Sequence, residues 1–123
     1  MELKVLDDCK QLVKKTVMLC DKHPSFVYTL NPQMIRASVS VGSNVVEGSR
    51  RTTNKEYVHF LNIAIGSCDE LKFQLICIEE LTHDYLSIEL IVLCDNIIGK
   101  LVNLKRYHLT HLKPQSSNLT PAT

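Results

Sequence analysis

The residues most able to carry chemistry in this chain are five histidines, five cysteines and thirteen carboxylates, and their spacing decides whether any of them form a site. Glu56 with His59, and Glu80 with His83, each reproduce the E-x-x-H spacing that helical bundles use to hold a pair of iron or manganese ions. Both pairs fall within one helical segment and stand 24 residues apart. At 1.5 Å per residue they are separated by about 36 Å and cannot share a metal. His108 and His111, three apart, could present two nitrogens to a transition metal, yet no carboxylate or cysteine nearby completes the ligand set. Their expected role is that of cations beside helix-end carbonyls.

The run Gly42-Ser43-Asn44-Val45-Val46-Glu47-Gly48-Ser49 lacks both the Gly-Lys-Ser/Thr ending of a phosphate loop and the spacing of a dinucleotide turn. No serine occupies a G-x-S-x-G setting. Cys9, Cys20, Cys68, Cys77 and Cys94 form no C-x-x-C pair, and their odd number cannot pair completely within one chain, so reduced thiols are expected. Four of them, Cys9, Cys20, Cys68 and Cys94, coincide with apolar stripes, where a free thiol packs as a small hydrophobe. The reading is therefore of a protein without catalytic residues, metal or cofactor.

Helices must position whatever function the chain has, because its apolar residues recur at steps of three and four and nowhere alternate over strand length. Residues 3–22 place Leu6, Cys9, Val13, Val17 and Cys20 on one face, and Pro24 ends that segment at His23. Asn31-Pro32 predicts the next start, with Asn31 as the cap. Two adjacent stripes follow, Met34, Ser38, Val41, Val45 and Ile35, Val39, Gly42, Val46, so this second helix is expected to be the most buried. Gly42 suits a close helix approach, and Gly48 a left-handed helix stop.

Thr53 and Glu56 have capping-box spacing. After them Tyr57, Leu61, Ala64, Cys68, Leu71, Leu75 and Ile78 make a heptad seam running to about residue 82. Ser87 is the expected cap of a fourth helix carrying Leu90, Cys94, Ile97, Leu101 and Leu104. The predicted fold is all-α, an antiparallel up-and-down four-helix bundle over residues 1–113 with a disordered tail over 114–123. Neither a membrane span nor a signal peptide is visible, which places the chain in the cytoplasm.

The net charge of +1 hides a segregation: residues 1–55 hold nine Lys/Arg against five Asp/Glu, 56–98 one against eight, and 99–123 four against none. Lys10, Lys14, Arg50, Arg51, Lys105 and Arg106 are the candidates for a nucleic-acid-binding surface. Arg36, Asn44, Glu47, Ser67 and Glu70 are expected to form a structural polar cluster. In it Arg36 reaches Ser67 or Glu70, and Glu47 accepts from the N–H groups that open the third helix.

The blocks Gln33-Met34-Ile35-Arg36-Ala37, Ser43-Asn44-Val45-Val46-Glu47-Gly48-Ser49-Arg50-Arg51, Phe60-Leu61-Asn62-Ile63-Ala64-Ile65-Gly66-Ser67 and Glu70-Leu71 occur in that order. Through them, over roughly residues 5–108, the chain resembles the bacterial four-helix-bundle family encoded in 23S ribosomal RNA intervening sequences. That family is in turn similar to the accessory variability proteins of diversity-generating retroelements. The resemblance implies a homopentameric ring or barrel without enzymatic activity and, in the retroelement branch, binding to RNA or DNA and to a nucleic-acid-processing protein. Val41-Gly42 stands where many relatives have an isoleucine-proline pair. A protein–protein assembly or adaptor module without nucleic-acid binding is the alternative.

Overall fold

The computed structural model describes residues 2–111, with side chains from Lys4 onward. The expected tail, 114–123, lies outside the described residues. Four helices follow one another: α1 (Glu2–Lys22), α2 (Leu30–Ser49), α3 (Asn54–Thr82) and α4 (Tyr85–Thr110), with a 3-10 turn at Pro24–Phe26 between the first two. Each packs against its sequence neighbours and α1 also packs against α4. Connections this short force alternate directions, so the chain is the antiparallel four-helix bundle predicted. The start of α1, the α2–α3 turn and the end of α4 share one end, called here the lower end.

The seams of α3 and α4 are those read from periodicity: all seven α3 positions and all five α4 positions are buried. Thr53 caps α3 as expected, its Oγ1 accepting from the Glu56 N–H at 3.1 Å from an extended backbone. The α1 face is displaced from the expected one. Val5, Cys9, Leu12, Thr16 and Leu19 point inward, while Leu6 and Val13 are half-buried and Val17 is 37% exposed. Two apolar stripes lie side by side on this helix, and only one can face the core.

The second helix repeats that division. Met34, Ser38, Val41 and Val45 are buried, but Val39 and Val46 are 45% and 38% exposed, so α2 is not covered on both faces. Gly42 is a close-approach site, since a Cβ there would stand 3.1 Å from Cys9 Cβ on α1. Gly48 is not a left-handed stop. It lies inside α2, no described glycine has positive φ, and the helix ends through Arg50 in ordinary right-handed geometry. Its lack of a side chain serves α3, because a Cβ would meet Phe60 Cβ and Tyr57 Cδ1, both at 2.8 Å.

Two expected caps are replaced. Asn31 sits one residue inside α2, buried, and its amide donates to the carbonyls of Cys20 (3.3 Å) and His23 (3.0 Å), closing the end of α1 instead of opening α2. Asp84, not Ser87, caps α4 by accepting from the Leu86 N–H at 2.9 Å. Ser87 lies one turn inside and donates to the Asp84 carbonyl at 2.6 Å. Asp84 also takes Lys22 (2.8 Å) and His23 (2.8 Å), clasping α1 to α4 at the upper end. His83 supplies the left-handed residue that lets α3 turn into α4, with φ of 54°.

Candidate nucleic-acid interface

Antiparallel packing brings Arg50 and Arg51, after α2, to the same end as Lys105 and Arg106 in the last turns of α4. Asn54 ties these two regions together: its Oδ1 lies 3.2 Å from His108 Nδ1, and its amide donates to the His111 carbonyl at 3.4 Å. Arg50 is exposed. Arg51 donates to Glu47 one turn back and places its guanidinium 4.6 Å from the centre of the Phe60 ring, so it is held in position while remaining partly open to solvent. Lys105 and Arg106 line a shallow depression with Val102 and Leu109, and Arg106 is steadied by Asn103 at 3.3 Å. Lys10 and Lys14 are exposed on α1, eight and twelve residues above its first residue, and the structure leaves them on a side face apart from the other four. Lys10 stands 3.8 Å from the Asp7 carboxylate.

The polar residues of α2 and α3 interact, with partners other than those expected. Ser40 Oγ meets Ser67 Oγ at 2.8 Å across the helix pair, and the Asn44 amide donates to Ser40 Oγ (3.0 Å) and to its carbonyl (2.8 Å). Ser40 is the hub and was missed because a lone serine carries no periodic signal. Arg36 and Glu70 are both exposed, and Arg36 makes no hydrogen bond or ion pair among the described residues. The expected Arg36 contact therefore does not form. Glu47 is taken by Arg51 instead of the α3 N–H groups, because Thr53 already caps that helix.

Of the histidines near the chain's helix ends, His108 is partly buried while His83 and His111 are exposed. His108 stacks on Tyr57 with ring centres 4.3 Å apart, and His111 lies 4.1 Å from the Tyr107 ring with Nδ1 2.7 Å from the Tyr107 carbonyl. His83 sits 3.6 Å from Glu79 rather than joining Glu80. Among the described residues no three His, Cys, Asp or Glu side chains are grouped to hold a metal. Cys9, Cys20, Cys68 and Cys94 are buried and Cys77 is partly exposed, all as free thiols. Burial pushes the Cys9 thiol up to about 12 and Cys20 to about 11, while hydrogen bonding with Cys94 and then burial push Cys68 upward. The four buried thiols are packing cysteines, poor nucleophiles by environment.

One surface had no place in the reading of charges. Between α1 and α2 runs an open apolar groove of about 420 Å³ lined by Leu6, Cys9, Val13, Val39, Gly42 and Val46, with Lys10 and Ser43 at its rim. The signal for it was the second apolar stripe on each of the two helices.

An all-α bundle whose polar groups serve caps, clasps and an exposed basic end belongs to the class of small helical-bundle proteins. More narrowly, the model of the 23S rRNA-intervening sequence protein family matches residues 1–103, and the chain belongs to that family. It is also similar in fold to a crystal structure of a protein with unknown function from the S23 ribosomal protein family of Bacteroides thetaiotaomicron. The TM-score is 0.78 at 16% identity, over 85% of this chain and 97% of that one. No curated protein matches the chain significantly. Among the described residues no helix is long and apolar enough to cross a membrane.

Proposed function

We propose that the protein is a non-enzymatic, self-assembling bundle of the cytoplasm. Its copies, five as the family resemblance implies, form a ring that binds RNA or a ribonucleoprotein through a shared basic rim. The observation that carries this reading is the convergence of Arg50, Arg51, Lys105 and Arg106 on the lower end of a chain whose net charge is only +1. Rotation about one axis gathers like ends of all copies on one rim. A patch too weak in a single copy gains avidity by repetition. The same end carries the exposed Tyr107 ring and the Phe60–Arg51 stack, both suited to unpaired bases.

The test is the absolute mass of the purified protein by light scattering, followed by titration with labelled single-stranded RNA at rising salt. The expected result is a multiple of the chain mass and an affinity that falls steeply between about 50 and 200 mM salt. Arg50→Ala with Lys105→Ala should lower both affinity and slope. An assembled protein without affinity at the low-salt end refutes the nucleic-acid part and leaves the second reading, a protein–protein adaptor. The open α1–α2 groove favours that second reading.

A further inference from the structure

We infer that the α1–α2 groove receives the outer face of α3 and α4 from a second copy of this chain, an inference that rests on self-assembly and specifies its geometry. Each surface exposes apolar side chains that the single chain leaves uncovered. The groove offers Val39 and Val46, and the upper halves of α3 and α4 offer Phe73 (66% exposed), Ile76, Ile88 and Val92. The spacings 73/76 and 88/92 place each pair on one side of its helix, and Phe73 is the protruding element, an aromatic anchor of the kind that fills interface pockets.

Charge selects the pairing. Lys10 and Lys14 stand exposed beside the groove, whereas residues 69–95 carry seven carboxylates against the single cation Lys72, itself paired to Asp95 at 2.7 Å. Joining two grooves would set lysines against lysines. Joining two α3–α4 faces would set carboxylates against carboxylates, an arrangement that disfavours that partner. Groove to face brings opposite charges together around an apolar centre. Because α1–α2 and α3–α4 are opposite layers of the bundle, one copy can use both surfaces at once. Such a head-to-tail contact closes into a ring when its rotation divides the circle without a rise along the axis. Because the groove lies toward the lower end and the apolar face toward the upper, the bundles lean against that axis. Gly42 lines the groove where α1 and α2 approach closely, a Cβ there standing 3.1 Å from Cys9 Cβ.

The experiment uses two full-length variants, each altered only at exposed positions: Val39→Glu with Val46→Glu in the groove, and Phe73→Lys with Val92→Lys on the opposite face. Each alone should run at the 14.0 kDa mass of one chain with unchanged helical circular dichroism. Mixed in equal amounts they should form a complex of twice that mass and no larger, because each retains one intact surface. Either variant keeping the wild-type assembled mass, or a mixture remaining at one-chain mass, overturns the inference while leaving self-assembly standing. A wild-type protein of one-chain mass overturns both. Lys10→Glu with Lys14→Glu gives an independent answer without touching an apolar side chain. It should raise the concentration needed for half-assembly about tenfold, in keeping with rim ion pairs of modest worth, and no change would overturn the proposed pairing.

Discussion

Alanine in place of Gly48 should destabilise the bundle, although the same replacement at Gly66 should stabilise it, and the contrast rests on a few atoms. In a helix interior, Gly→Ala alone gains about 1 kcal/mol. At Gly66 nothing lies within 4 Å of the new Cβ, so that gain is expected nearly whole. At Gly48 the Cβ would stand 2.8 Å from Phe60 Cβ and from Tyr57 Cδ1. Ordinary carbon contacts lie at about 3.5 to 4.0 Å, so two atoms must each retreat by nearly 1 Å.

Neither can swing aside. Phe60 Cβ is fixed to the α3 backbone, and the buried Tyr57 ring is backed by His108. The helices must separate, an overpacking cost of about 1 to 3 kcal/mol that exceeds the propensity gain. The propensity gain is common to both variants, so they should differ by the overpacking cost, about 1 to 3 kcal/mol, with Gly48→Ala below wild type and Gly66→Ala above it. Urea unfolding followed by far-ultraviolet circular dichroism at one fixed protein concentration measures both. Gly48→Ala matching or exceeding wild-type stability would show that α2 and α3 are not in the contact described.

Acid stability should depend on Asp84, whose carboxyl is held down at about 2 by the hydrogen bond from Lys22, with the Leu86 N–H and His23 assisting. A folded-state value below the usual carboxylate value of about 3.9 gives stability that is present above pH 4 and lost as pH falls toward 2. Asp84→Asn keeps a capping oxygen but should flatten that part of the pH profile, and an unchanged profile refutes the clasp. With a thiol-reactive chromophore at pH 8, Cys77 should react in the native protein while the other four cysteines wait for unfolding. Fast labelling of Cys9 or Cys68 would contradict the core.

The sequence held more of the fold than of the contacts. The α3 and α4 seams and the Thr53 cap were legible because heptad spacing and capping-box chemistry are local. The buried face of α1 was not. Leu6, Cys9, Val13 and Val17 form as good a stripe as Val5, Cys9, Leu12, Thr16 and Leu19, and only tertiary packing chooses between them. Asn31 and Gly48 are residue types that favour caps and stops, but longer-range needs decided their places, the closure of α1 in one case and room for Phe60 and Tyr57 in the other. At the candidate site, the grouping of Arg50, Arg51, Lys105 and Arg106 followed from topology. Arg36 did not find Glu70 because level positions on neighbouring helices need not face each other.

The order in which the helices lie beside one another has a kinetic consequence. Every seam joins consecutive segments except the one between α1 and α4, clasped midway by Lys100 and Asp8, 92 residues apart. Local seams close at small loop entropy and form early, while that distant closure waits for the rest. On α1 Thr16 is fully buried and its hydroxyl finds no hydrogen-bond partner among the described residues. Its desolvation costs about 1 to 3 kcal/mol on one of the two helices that this seam joins. The α1–α4 contact is thus the last seam to close, and transient opening of the native bundle begins by parting it.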